Sequence, residues 1–198
     1  MTWQPDFAAC ISLARRTDRR AALVGLDQRL GFPIRIIDAI EGGTLTPPSD
    51  WIGSPEAYGC MMSHRAVLEG SPKGATVLVL EDDAVVQPNF RQVISRVISE
   101  LPPFWESIYL GGEHVRRPIP MGANTARCVQ PLRTLAYIVR GRAIETAVEV
   151  SKTARNHWDV QLGHELVHLN TCFAADPFLV TPSDAPGDIP DSEPYRAQ

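Results

Sequence analysis

The chain has 198 residues, 44% hydrophobic and 21% charged, enough to bury one proper core and in the range of a single domain. Its 19 basic and 23 acidic residues give a net charge of −4 with no dominant Lys/Arg block, which argues against a general affinity for nucleic acid or anionic membrane and leaves a local basic patch open. Met1 to Leu13 carries Asp6 and lacks a basic leader region, and nowhere do about 18 apolar residues run together, so the expectation is a cytoplasmic protein without a transmembrane segment.

In chain order, Phe7 to Leu13 reads as a first strand, and a polar turn over Ala14 to Thr17 leads into a helix with Leu23, Leu26 and Leu30 on one face. Ile34 to Ile37 makes a second short strand, and Gly42-Gly43 and Pro47-Pro48 mark a loop. Ser54-Pro55 is a helix start, an N-cap followed by proline at the first helical position, with the helix running to about Glu69. Thr76 to Leu80 is an apolar, β-branched run of the kind found inside an α/β sheet, and it ends in Glu81-Asp82-Asp83. Phe90, Val93, Ile94, Val97, Ile98 and Leu101 recur at helical steps. Ser107 to Leu110, closed by Gly111-Gly112, and Leu135 to Val139 are further strands, the latter feeding a helix through Ile144, Ala147 and Val148. Alternating strands and helices predict an α/β domain over residues 1–180 with a mainly parallel sheet flanked by helices. Residues 181–198, with four prolines among Asp and Ser, read as an extended or disordered tail. Cys10, Cys60, Cys128 and Cys172 lack metal-knuckle spacing and read as buried free thiols.

The acidic strand end carries the functional argument. Ligands of such sheets sit beyond the carboxyl ends of the strands. Three adjacent carboxylates repel unless a cation sits among them, and oxygen ligands suit Mg²⁺ or Mn²⁺; the alternative is a solvated acidic turn. Arg15 and Arg19, in the loop after the first strand, are placed to pair with a diphosphate, the alternative being a solvated helix start. Arg16 and Arg20 read as surface charge. Trp3, Trp51, Trp105 and Trp158 are core residues or sugar-stacking platforms.

Several segments together resemble the family 25 glycosyltransferases, which include bacterial lipooligosaccharide sugar transferases and collagen hydroxylysine galactosyltransferases. They are Ile11 to Arg19, Asp38-Ala39-Ile40-Glu41-Gly42, Gly59-Cys60-Met61-Met62-Ser63-His64, Val77 to Asp83, His157-Trp158-Asp159 and Pro177 to Val180. Ala57 stands where the family tends to have Glu, and Glu41 where it has Asp. The resemblance implies an A-type nucleotide-sugar transferase fold, a Mn²⁺ or Mg²⁺ cofactor and transfer of a hexose from a UDP-sugar to a hydroxyl. The acceptor it implies is a bacterial surface glycan, as in lipopolysaccharide biosynthesis, with a protein hydroxylysine or a hydroxylated nucleic-acid base as further classes.

By the same resemblance Asp83 touches the metal and Glu81 supports it or reaches the ribose. Leu13, Arg15, Arg19, Asp38, Ser63, His64 and Asp82 fall on the donor-binding motifs. A base is needed to take the acceptor proton if configuration inverts, and Asp159 and Glu113 are the candidates; Asp159 serves equally as a helix N-cap. Two other classes compete. His164-Glu165-Leu166-Val167-His168 satisfies the H-E-x-x-H zinc protease pattern, although no third ligand follows in a recognisable extension and the helix reads as too short to fix both histidines. A non-catalytic nucleotide-sugar-binding domain is the other.

Overall fold

The computed structural model describes residues 2–189. Strand β1 (Phe7–Ser12) leads through the arginine-rich loop into helices α1 (Thr17–Ala22) and α2 (Leu26–Leu30), followed by β2 (Arg35–Asp38) and a 3-10 turn at Gly42–Thr44. Next come α3 (Pro55–Glu69), β3 (Val77–Glu81), β4 (Ala84–Val86), α4 (Phe90–Glu100), β5 (Ser107–Arg116), β6 (Ile119–Pro120) and β7 (Thr125–Arg127). The chain continues through β8 (Gln130–Val139), α5 (Arg142–Thr153), α6 (Trp158–His168), β9 (Cys172–Ala175) and β10 (Val180–Pro182).

The main sheet has the order β2-β1-β3-β8-β5-β9-β7-β6, and β4 and β10 form a separate antiparallel pair. Strands β2, β1, β3, β5 and β9 share one direction, and β8 runs against them between β3 and β5. The result is an α/β layered domain whose sheet is mixed at its centre. Register brings the strand ends together: Ile11 lies opposite Glu81, and Ser12 opposite Asp38. Because β8 is antiparallel, with Ala136 opposite Leu80, it enters the sheet where β3 leaves it.

Both sheet faces are covered, which is why β3 is apolar from Val77 to Leu80. Leu78 and Leu80 pack with Leu26, Leu30, Phe90 and Ile94 on one side. Val77 and Val79 pack with Met61, Leu68, Ala147, Leu162 and Leu166 on the other. The N-cap of α3 forms as its sequence predicts, Ser54 Oγ accepting from the Ala57 N–H at 3.2 Å with Pro55 in the first turn.

Three expectations are corrected by the structure. The helix expected through Leu23 to Leu30 is two helices, because Gly25 at φ 73° turns the chain between them. Strand β5 does not stop at Gly111-Gly112 but bends through them to Arg116. A Cβ on Gly111 would lie 2.6 Å from the Val180 carbonyl oxygen, and one on Gly112 2.6 Å from those of Leu132 and Arg133, so these glycines admit close backbone neighbours. The boundary expected at residue 180 falls inside β10, where Val180 pairs with Val86 and Thr181 with Val85. The rest of the expected tail, residues 190–198, lies outside the described residues. Among the described residues no helix is long and apolar enough to cross a membrane.

Candidate active site

A cavity of about 650 Å³ opens where β1, β3 and β5 leave the sheet and β8 enters it. Its volume is that of a small-molecule site. Of the residues singled out from sequence, Leu13, Arg15, Arg19, Ser63, His64, Glu81, Asp82, Asp83, Glu113 and Asp159 all line it. Asp38 does not. Its side chain is 74% exposed and pairs with Arg20 at 2.5 Å. Arg20 also donates to the Ser12 carbonyl, so it ties two strand ends together and is not plain surface charge.

The three carboxylates have different surroundings. Asp82 is buried, accepts from Ser12 Oγ at 2.8 Å and pairs with the buried Arg19 at 2.5 Å. Asp83 is 3.7 Å from Arg19 through Oδ2, while its buried Oδ1 has no hydrogen-bond partner. Burial first, and the charge of Glu81 next, raise the Asp83 pKa to about 6 against the opposing pull of Arg19. Glu81 Oε1 accepts from Thr134 Oγ1 at 3.0 Å and lies 3.4 Å from His64 Nε2. Burial works to raise the Glu81 pKa, but His64, Thr134 and Arg19 together bring it below the ordinary value. Asp82 is thus committed to holding Arg19, whereas Asp83 retains a buried oxygen without a hydrogen-bond partner.

The arginine loop is held from the far end of the chain. Asp188 pairs with Arg15 at 2.7 Å and with Arg16 at 2.5 Å, and the Pro186 carbonyl accepts from Arg16 and Arg19. Arg16 is therefore part of this cluster, contrary to its reading as surface charge, and Gly187 and Asp188 line the same cavity. Nothing in the local sequence could have joined residues so far apart.

Helix α3 approaches unusually closely. A Cβ on Gly59 would meet the backbone of Gly42 and the Ile40 carbonyl at 2.7 Å. Ser63 Oγ donates to the Gly59 carbonyl and accepts from the Ile40 N–H. These small residues admit the loop after β2, and Ser63 ties that loop to α3. His64 is fully buried, its Nδ1 2.9 Å from Tyr137 Oη and its ring stacked on Trp158. One helical turn earlier, Cys60 also lines the cavity. The Cys60 thiol, the His64 imidazole and the Glu81 carboxylate present ligand atoms within 4.8 Å of one another.

The two base candidates also separate. Glu113 is 56% exposed at the side chain and lies 3.4 Å from Arg133 Nε. Asp159 is buried and accepts from the Arg133 and Val160 N–H groups, each at 2.9 Å. Burial raises its pKa against those two bonds. It does not cap α6, whose N-cap is His157; one of its bonds instead holds Arg133 in a left-handed turn, φ 58°, at the cavity wall. Trp158 is the indole at the site, whereas Trp105 belongs to the core.

Helix α6 is long enough to carry both histidines of the H-E-x-x-H pattern, contrary to expectation. His164 is 67% exposed and lies 3.3 Å from Glu165, and His168 Nδ1 bonds the His164 carbonyl. Neither lines the cavity. Among the described residues they join no convergent group of three potential ligands.

No family model matches the chain. A rat protein named probable inactive glycosyltransferase 25 family member 3 is 32% identical over 56% of this chain and 23% of its own length, and a human protein named inactive glycosyltransferase 25 family member 3 is 31% identical over 56% and 22%. Over about half its length the chain is similar to proteins named as members of glycosyltransferase family 25. It spans less than a quarter of the length of these mammalian relatives, whose names describe them as inactive. A protein of Acanthamoeba polyphaga mimivirus whose name places it among glycosyltransferases is 30% identical over 51% of this chain and 36% of its own. Among solved structures, a glycosyltransferase involved in glycosylation of the major capsid of PBCV-1 aligns with TM-score 0.57 and 14% identity, covering 91% of this chain and 93% of that one. That likeness concerns the fold.

Proposed function

We propose that the chain is a metal-dependent glycosyltransferase that moves a hexose from a UDP-sugar to a hydroxyl, with a bacterial surface glycan as the acceptor. The observation that carries this reading is Asp83: a carboxylate in a cavity at the strand ends, with a buried oxygen left unpaired and a pKa raised to about 6. An unpaired buried oxygen of this kind fits a hard cation, and Glu81 is the second oxygen donor on the same strand end. Bound there, Mn²⁺ or Mg²⁺ supplies Lewis-acid stabilisation of the charge that develops on a departing diphosphate.

The remaining roles belong to the protein. Asp82 fixes Arg19 at the cavity wall, keeping its guanidinium near the site without neutralising Asp83 fully. Arg15 offers a further donor to a diphosphate once Asp188 gives it up. Asp159, buried and with a raised pKa, is a better proton acceptor than the exposed, arginine-paired Glu113. Trp158 and His64 form a flat, water-excluding wall.

UDP release from UDP-hexoses is the test, measured with and without Mn²⁺. The wild-type chain is expected to release UDP in a Mn²⁺-stimulated manner, and Asp83→Asn to lose the stimulation. Unchanged stimulation in Asp83→Asn would remove Asp83 from this role. UDP-sugar binding with no release by any acceptor would favour a binding domain, the reading to which the names of the mammalian relatives point.

A further inference from the structure

We propose that Cys60 and His64, with Glu81 as a carboxylate shared with the Asp83 site, form a second cation site in the same cavity, one that takes a thiophilic divalent ion of the Zn²⁺ class. The proposal does not depend on sugar transfer. One sulfur, one nitrogen and one oxygen donor suit Zn²⁺ or Co²⁺, whereas the oxygen-only Asp83 site suits Mg²⁺ or Mn²⁺.

Two independent features point to it. The first is convergence: Cys60 and His64 are four residues apart on α3, hence on one helix face, and their ligand atoms lie within 4.8 Å of each other and of Glu81 across the cavity. Tetrahedral zinc with bonds of about 2.0–2.3 Å places its ligand atoms roughly 3.6 Å apart, so side-chain rotation of about an ångström closes the site. The second is the His64 ring. It is fully buried, and its Nε2 has no hydrogen-bond partner although Glu81 Oε1 is 3.4 Å away.

Nδ1 lies 2.9 Å from Tyr137 Oη, and in the tautomer that carries its proton there Nε2 presents a lone pair toward the Glu81 carboxylate, an arrangement that a cation between them satisfies. A histidine held through its second nitrogen in this way is the usual support of a metal ligand. Stacking on Trp158 fixes the ring plane. Three protein ligands leave a fourth position toward the cavity for water or a ligand oxygen, the pattern of an open zinc site. Binding displaces the Cys60 proton to solvent, so the metal–thiolate bond forms with release of one proton.

The test uses Co²⁺ and Zn²⁺ on the full chain. One equivalent of Co²⁺ should give a thiolate-to-cobalt charge-transfer band, retained in Asp83→Asn and lost in Cys60→Ala, with Zn²⁺ affinity falling at least tenfold in Cys60→Ala. X-ray absorption of the Zn²⁺-loaded wild type needs no variant and should show a single sulfur at about 2.3 Å. Absence of a sulfur ligand, two sulfurs, a band surviving in a folded Cys60→Ala, or loss of the band in Asp83→Asn would each overturn the second site. Mn²⁺-stimulated UDP release without a sulfur ligand would leave the transfer reading standing while this one fails.

Discussion

Replacing Asp82 with alanine should destabilise the protein and also disturb the cation site, because it removes the main partner of a buried arginine. Asp82 and Arg19 are 9% and 8% exposed, meet at 2.5 Å, and Ser12 Oγ donates a second bond to Asp82. Deleting one member of a buried ion pair costs about 3–5 kcal/mol, since the other charge is left unpaired. Here Arg19 keeps the Pro186 carbonyl at 2.9 Å and can turn to Asp83, 3.7 Å away, which should reduce the loss to about 2–3 kcal/mol. For a chain of this size that corresponds to a fall in Tm of roughly 5–10 °C, readable by calorimetry.

The double variant Arg19→Met, Asp82→Ala removes both charges and should be more stable than the sum of the single losses predicts, by at least about 1.5 kcal/mol. In Asp82→Ala the released Arg19 should also weaken Mn²⁺ binding by occupying Asp83. A Tm change within about 1 °C, or strictly additive losses, would refute the reasoning that Asp82 exists to hold Arg19.

Three further outcomes are expected. Asp188→Ala should tighten UDP binding several-fold by freeing Arg15, measured by calorimetric titration; an unchanged Kd would show that Arg15 does not meet the diphosphate. The folded-state pKa of Asp83 is raised, so its contribution to stability is greatest below its ordinary value near 3.8 and declines as pH rises to about 6. Mn²⁺ relieves that loss, so the Tm gain it produces should grow between pH 5 and pH 7, and a gain independent of pH would contradict the assignment. Gly59→Ala places a methyl 2.7 Å from rigid backbone and should lower stability by about 1–3 kcal/mol in urea unfolding, whereas a neutral result would mean the α3 contact is looser than described.

Local pattern made much of the fold legible. The apolar run of β3, the Ser54-Pro55 start of α3 and the periodic face of α4 each report a single element whose burial dictates its residues. The short strands β4, β6, β7, β9 and β10 escaped because their pairing is set by distant partners and not by their own alternation. The acidic strand end lies at the cavity that also collects His64, Arg15 and Asp159. What sequence could not show was the division of labour within it. Whether Asp82 or Asp83 is free depends on Arg19, and the second anchor of the arginine loop, Asp188, lies at the other end of the chain. Cys60 and Thr134 were missed for the same reason, as each acquires meaning only beside Glu81.

Thermal stabilisation by UDP with Mn²⁺, compared in wild type and Asp83→Asn, bears most directly on the Asp83 cation. Ligand at about 100 times its Kd should stabilise the wild type by about 2.7 kcal/mol, a Tm rise of roughly 5–10 °C. The rise should require Mn²⁺ and shrink to near zero in Asp83→Asn. An equal rise in the variant, or one indifferent to Mn²⁺, would contradict the account.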